Sequence, residues 1–127
     1  MLAKVALVVG LIFSVHPARA CSCVSDYSDP RVLEALLHDA DVVVHAKVQK
    51  KHMFGRATIK AIELFKGPAA TSVLKAKRGA SMSCGTSFTV GEEAIFVSYR
   101  GLVSLCDKLP PDQSILEALR KHRQPEQ

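Results

Sequence analysis

Residues 41–65 read DVVVHAKVQKKHMFGRATIKAIELF. Successive side chains of an extended chain point to opposite faces, so Val42, Val44, Ala46 and Val48 fall on one side and Val43, His45, Lys47 and Gln49 on the other. That alternation predicts a half-buried strand over 41–51. A short turn near Met53–Gly55 follows, and then a second long strand over 54–65. The phase of the second strand slips between Ile59 and Leu64, as the extra residue of a β-bulge would make it do. Two long strands joined by so tight a turn are expected to coil around a small barrel, and the fold class is mainly β.

The flanking sequence supplies the rest of such a barrel. Gly67-Pro68 is a turn, and Ser72–Lys77 is a third strand carrying Val73 and Leu74. Arg78–Thr86 (RGASMSCGT) is small and polar and reads as a loop around Cys84. Phe88–Val90 reads as a short strand, Gly91-Glu92 as a turn with Glu92 and Glu93 in solvent, and Glu93–Tyr99 as a strand with Ile95, Val97 and Tyr99 on one face. Gly101–Cys106 extends the sheet until Pro110-Pro111 breaks it. Upstream, Asp29-Pro30 has a capping residue followed by proline at the first helical position. The helix it opens places Val32, Leu33, Leu36 and Leu37 on one face and ends at Asp39–Asp41. Downstream, Ser114-Ile115-Leu116-Glu117 reads as a capping box opening a last helix through about His122. The expectation is a five-stranded, closed or partly closed barrel flanked by helices, with a loose polar tail over 123–127.

The composition fits one folded domain. The 127 residues are 48% hydrophobic and 23% charged, an ordinary globular mixture. Only 6% are aromatic and none is Trp, so the core is expected to rest on Val, Leu, Ile and Ala. The formal net charge is +5, of which Lys4 and Arg19 belong to the extreme N-terminus. The remainder is mild and forms no dense basic tract, so no nucleic-acid partner is expected.

Residues 1–20, MLAKVALVVGLIFSVHPARA, have the layout of a cleaved export signal. Lys4 is a lone positive residue, Val5–Val15 is an uncharged apolar run, Pro17 breaks it, and Ala18-Arg19-Ala20 fits a peptidase site. The run is too short to span a bilayer, which needs about 20 apolar residues. A secreted or periplasmic protein without a membrane span is expected, with its mature chain beginning at Cys21. Lipid anchoring at Cys21 is the weaker alternative, because Ala18 and Arg19 occupy the positions where lipoprotein signals carry Leu and a small residue.

All four cysteines, Cys21, Cys23, Cys84 and Cys106, follow that site. An even count in a small exported domain reads as two disulfides. Cys21 with Cys23 would make a small strained ring. Two pairings remain: Cys21–Cys84 with Cys23–Cys106, or Cys21–Cys106 with Cys23–Cys84. Either would fasten a chain end twice within three residues, each bridge being worth up to about 4 kcal/mol in the loop-entropy picture. C-x-C spacing does not suit zinc, and redox pairs use C-x-x-C. No cofactor is expected.

Cys21-Ser22-Cys23-Val24 after a cleavage site, with Cys84-Gly85 and Cys106 downstream, resembles the tissue inhibitors of metalloproteinases. The chain over roughly residues 21–106 resembles the netrin-like module, an OB-fold barrel, in its short bacterial form. Leu64-Phe65-Lys66-Gly67 and Cys84-Gly85-Thr86-Ser87-Phe88 with Gly91 following are typical of that form. The resemblance implies an OB-type barrel over 21–122 with Cys21–Cys84 and Cys23–Cys106 paired. It also implies a protease-binding wedge of Cys21, Ser22, Cys23, Val24, Ser81, Met82 and Ser83, with a zinc metalloproteinase as the partner. The sequence differs from the animal inhibitors in having no third disulfide in this domain, no C-terminal domain, and Ser25 and Asp26 where those proteins carry prolines.

The chemistry of such a wedge follows from the terminus itself. A free α-amine has a pKa of about 7.7–8.0, so part of it is neutral near neutral pH. Its lone pair and the Cys21 carbonyl would form a five-membered chelate on the partner's zinc, displacing the water from the open position of a catalytic site. The competing reading is a non-inhibitory binding or adaptor module, using Val43, His45 and Lys47 on the outer side of the first strand. In that case the C-x-C only fastens the first segment. An enzyme is not expected: His38, His45, His52 and His122 have no paired nucleophile, and Ser83 and Ser87 form no nucleophile elbow. Lys75, Lys77 and Arg78 read as a solvated strand end. The protein is expected to be a monomer.

Overall fold

The computed structural model describes residues 26–78 and 85–123. The expected export signal and residues 124–127 of the expected 123–127 tail lie outside these residues, while Arg123, at the start of that tail, is not loose but paired with Glu63 and set over the Phe65 ring. Five strands and two helices follow one another: α1 (Pro30–Asp39), β1 (Val42–Lys51), β2 (Arg56–Lys66), β3 (Val73–Lys75), β4 (Glu93–Ser98), β5 (Lys108–Leu109) and α2 (Gln113–His122). The strands form one antiparallel sheet in the order β3-β2-β1-β4-β5.

The sheet curls far enough for its β3 side to meet the chain that leads into β5. Ala76 and Val103 form a parallel bridge. The Val103 amide donates to the Lys75 carbonyl at 2.8 Å, and the Lys77 amide donates to the Val103 carbonyl at 2.7 Å. Backbone groups of the β3 edge that would otherwise need water are thereby paired, and the sheet becomes barrel-like.

Curvature comes from β2, whose register against β1 slips by one residue at Phe65 and again at Ile62. The slip at Ile62 is the phase break visible between Ile59 and Leu64 in the sequence, since an extra residue bends the strand that carries it. Strand β2 begins at Arg56 rather than Phe54. The two preceding residues are consumed by a 3-10 turn, Met53–Gly55, in which Phe54 and Gly55 both have positive φ (63° and 74°). Gly55 is required there twice over, because a side chain would be strained at that φ and its Cβ would lie 3.3 Å from the Ala76 carbonyl oxygen.

Two apolar cores lie on opposite faces of the sheet. The interior one contains Val44, Ala46, Val48, Ala57, Ile59, Leu74, Ala76, Ala94, Phe96 and Val103, with Phe88 as its lid. Phe88 and Phe96 meet edge to face, centroids 5.7 Å apart, the arrangement ring quadrupoles favour. The outer core joins Leu33, Leu36 and Leu37 of α1 and Ile115, Leu116 and Leu119 of α2 to Val43, Phe65, Ile95, Val97 and Leu109 of the sheet. The first half of β1 is therefore buried on both faces, where alternation alone predicts one solvated face.

Three further expectations are corrected. Phe88–Val90 is not a strand. Phe88 is buried, but its backbone is irregular because it reaches the interior as a plug rather than as a ladder member. Gly101–Cys106 extends the sheet only through the bridges at Leu102 and Val103 before turning into a 3-10 segment, Leu105–Asp107. Helix α2 starts at Gln113 with Asp112 at its N-cap, two residues ahead of the expected box, so Ser114 and Glu117 are interior helical residues. By contrast, α1 opens as read: the Asp29 carboxylate accepts the Arg31 amide at 3.0 Å, with Pro30 in the first turn. No helix among the described residues is long and apolar enough to cross a membrane.

Candidate functional site

The expected wedge residues Cys21, Ser22, Cys23, Val24, Ser81, Met82 and Ser83, together with Cys84, lie outside the described residues. Cys106 and the segments that flank the wedge lie inside. Cys106 is half-buried in the 3-10 turn Leu105–Asp107 and is not a free thiol. That turn is rigid for a local reason. The Asp107 carboxylate accepts both the Ser104 amide and the Ser104 hydroxyl at 2.8 Å, while the Asp107 amide returns to the Ser104 carbonyl at 3.0 Å. This reciprocal cap satisfies the donors that a short helical turn leaves open.

Two other segments are tied close to this turn. The Thr86 amide donates to the Lys77 carbonyl at 3.0 Å, and Lys77 is itself bonded to Val103, three residues before Cys106. The two ends of the chain section holding Ser81–Cys84 are thus bonded to each other and, through Lys77, to the bridge residue Val103. From the N-terminal side, Tyr27 packs on the outer core beside Tyr99. The Tyr99 phenol is pushed above its ordinary value chiefly by burial, and then by the negative charges of Asp107 and Asp39 and by Tyr27. Tyr27 and Tyr99 thus pack against the same outer core.

The approach to Tyr27 is fixed as well. The Asp26 carboxylate accepts the Ser28 hydroxyl at 2.5 Å and the Ser28 amide at 3.0 Å, and the Asp29 amide donates to the Asp26 carbonyl at 3.1 Å. The Ser28 hydroxyl, and secondarily its amide, hold the Asp26 carboxyl below the ordinary range.

A further element was not legible in the sequence. The Lys108 ammonium, 14% exposed, donates to the Ser87 carbonyl at 2.7 Å and to Glu92 at 2.9 Å, and lies 5.3 Å from the Phe88 ring centroid. Glu92 also accepts the Thr89 amide at 3.1 Å. Glu92 is thus the anchor of the segment between Gly85 and β4 rather than a solvated turn residue. Nothing local to Lys108 marks it, since its partners are 16 and 21 residues away.

The outer-strand candidates of the competing reading are only partly available. Val43 is fully buried beneath the helices, and His45 is buried with its Nε2 3.6 Å from the Glu93 carboxylate and unbonded; Lys47 alone is exposed. The remaining described histidines are dispersed. His38 contacts Asp39 at 2.9 Å, His52 contacts the Thr58 hydroxyl at 2.6 Å, and His122 lies 3.3 Å from Glu34. Among the described residues, no group of three or more His, Cys, Asp or Glu side chains could hold a metal ion. An open depression of about 500 Å³ near Arg31, Glu34, His38 and His122 brings no nucleophile to a base. No protein-family model matches this chain, and no curated protein matches it either.

Proposed function

We propose that this is an exported OB-type module, similar to the tissue inhibitors of metalloproteinases, that inhibits a zinc metalloproteinase through its mature N-terminus. The observation that carries the proposal is convergence. Cys106 is not a free thiol, the residues flanking the section that bears Cys84 are bonded to each other and to Val103, three residues before Cys106, and Tyr27, on the N-terminal side, packs on the outer core as Tyr99 does. Disulfides Cys21–Cys84 and Cys23–Cys106 would complete that convergence. The parallel bridge from the β3 side to Val103, in a five-stranded sheet that is otherwise antiparallel, supports the OB reading.

In this reading the Cys21 amine and carbonyl chelate the partner's zinc. Ser22 enters the neighbouring substrate pocket, where its small polar side chain buries little, so Val24 and Met82 set the preference for a target. Anchoring the terminus in advance matters because ordering a loose chain end on binding costs about 0.5–1.5 kcal/mol for each immobilised rotamer-rich side chain, besides backbone entropy.

The test adds one Ala before Cys21. Against a panel of zinc endopeptidases with a fluorogenic peptide, the protein beginning at Cys21 inhibits at least one member stoichiometrically. The extended variant melts normally and loses inhibition. A parent that inhibits none, or an extended variant that inhibits equally well, overturns the proposal. The second reading, a non-inhibitory binding module, is favoured by the bare outer surface beyond His45. Capture of a non-protease partner, insensitive to zinc chelation, would select it.

A further inference from the structure

The helices cover only part of the outer face of the sheet. Toward the β1–β2 hairpin that face is bare, and the hairpin ends in two large apolar side chains, Met53 and Phe54, 76% and 62% exposed. The tip is held in shape. The His52 amide donates to the Arg56 carbonyl at 2.8 Å, the Ala76 amide donates to the Gly55 carbonyl at 2.8 Å, and the Arg78 guanidinium lies 5.5 Å from the Phe54 ring centroid. Phe54 also sits at a φ of 63°, a conformation that bulky residues rarely adopt and that Asn or Gly adopts more readily. Local stability does not explain a phenylalanine there.

Around the tip lies a collar of exposed cations: Lys50, Lys51, Arg56, Lys75, Lys77 and Arg78. None of them is in an ion pair among the described residues. Between Val42 and Arg78 the sole acidic residue is Glu63, which is paired with Arg120 and Arg123 of the α2 end. Arg56 and Lys75 are direct partners across the β2–β3 ladder, and Lys47 and Lys60 across β1–β2. Like charges placed opposite each other weaken a sheet.

A protruding apolar pair inside an unneutralised cationic collar is the complement of an anionic lipid surface. The cations meet headgroup phosphates, while Met53 and Phe54 reach the boundary of the acyl chains. A nucleic acid or an acidic glycan would use the charges and leave the apolar pair unexplained. We propose that the tip of the β1–β2 hairpin and its collar dock this protein on an anionic phospholipid surface. The proposal uses no residue of the protease wedge and stands apart from that reading.

Both apolar cores are built from residues after Tyr27, so the chain from Cys21 carries the whole described fold. That chain is tested by flotation with phosphatidylcholine vesicles containing one third phosphatidylglycerol. It binds them, does not bind pure phosphatidylcholine vesicles, and is released by high salt as the Debye length shortens. Lys75→Gln with Lys77→Gln weakens binding about 25-fold, since each cation at such a surface is worth about five-fold. Met53→Ser with Phe54→Asn weakens it at least about tenfold without lowering the melting temperature, because both side chains are already in water and Asn tolerates the positive φ. Failure to bind anionic vesicles overturns the proposal. So does a Met53/Phe54 variant that binds like its parent, a result that would assign the collar to a soluble polyanion.

Discussion

Glu63 is the place where a single charge links the barrel to α2, and its removal should have a pH signature. Its carboxylate accepts the Arg120 Nε at 2.9 Å and Nη2 at 2.7 Å and is also contacted by Arg123. It is 22% exposed and Arg120 is 45% exposed. A hydrogen bond to a charged group contributes about 1.5–3 kcal/mol when well protected, and an exposed ion pair about 0.2–1 kcal/mol. This half-protected fork lies between those limits, so Glu63→Gln should cost about 1–2 kcal/mol at neutral pH. For a domain of this size that lowers Tm by roughly 5–12 °C.

The Arg120 hydrogen bond holds the Glu63 carboxyl below its ordinary 4.5, outweighing an opposing contribution from burial. A depressed carboxylate contributes stability that is present above its unfolded pKa and lost as pH falls through its folded pKa. Parent and variant should therefore differ at neutral pH and converge well below pH 4.5. Thermal melts followed by circular dichroism across that range decide the matter, with Arg120→Gln and the double variant closing a cycle. A gap between parent and variant that persists unchanged in acid would refute the electrostatic account, as would zero coupling between the two sites.

Phe96→Ala, which opens the interior core beneath Phe88, should cost about 3–5 kcal/mol in urea unfolding. Lys108→Ala removes the tie between Ser87, Glu92 and the Phe88 ring, and should cost about 2–3 kcal/mol at neutral pH. Amide exchange in that variant should rise first at Thr89, whose amide depends on Glu92. The extended-terminus variant and the vesicle experiment address the two functional proposals separately: adding Ala before Cys21 should abolish inhibition and leave vesicle binding intact.

The amino-acid order by itself settled what depends on neighbours a few residues apart. It specified the two long strands around Met53–Gly55, the slip in β2, the Asp29-Pro30 start of α1 and the Pro110-Pro111 break, because alternation, capping and turn chemistry are local properties. It marked the wedge residues only through their resemblance to a family, since a Cys-x-Cys has no intrinsic chemistry until a chain end and distant partners are placed around it. Tertiary structure decided the rest. Val43 lost its expected solvated face because two helices, one before and one after the barrel, pack over it, and His45 is buried as well. Phe88 became a core residue without a strand, and Lys108 and Glu63 acquired partners up to 60 residues away. Whether an alternating pattern has one buried face or two, and whether a charge stands alone or is clamped, depends on which distant surfaces the chain's closure brings together.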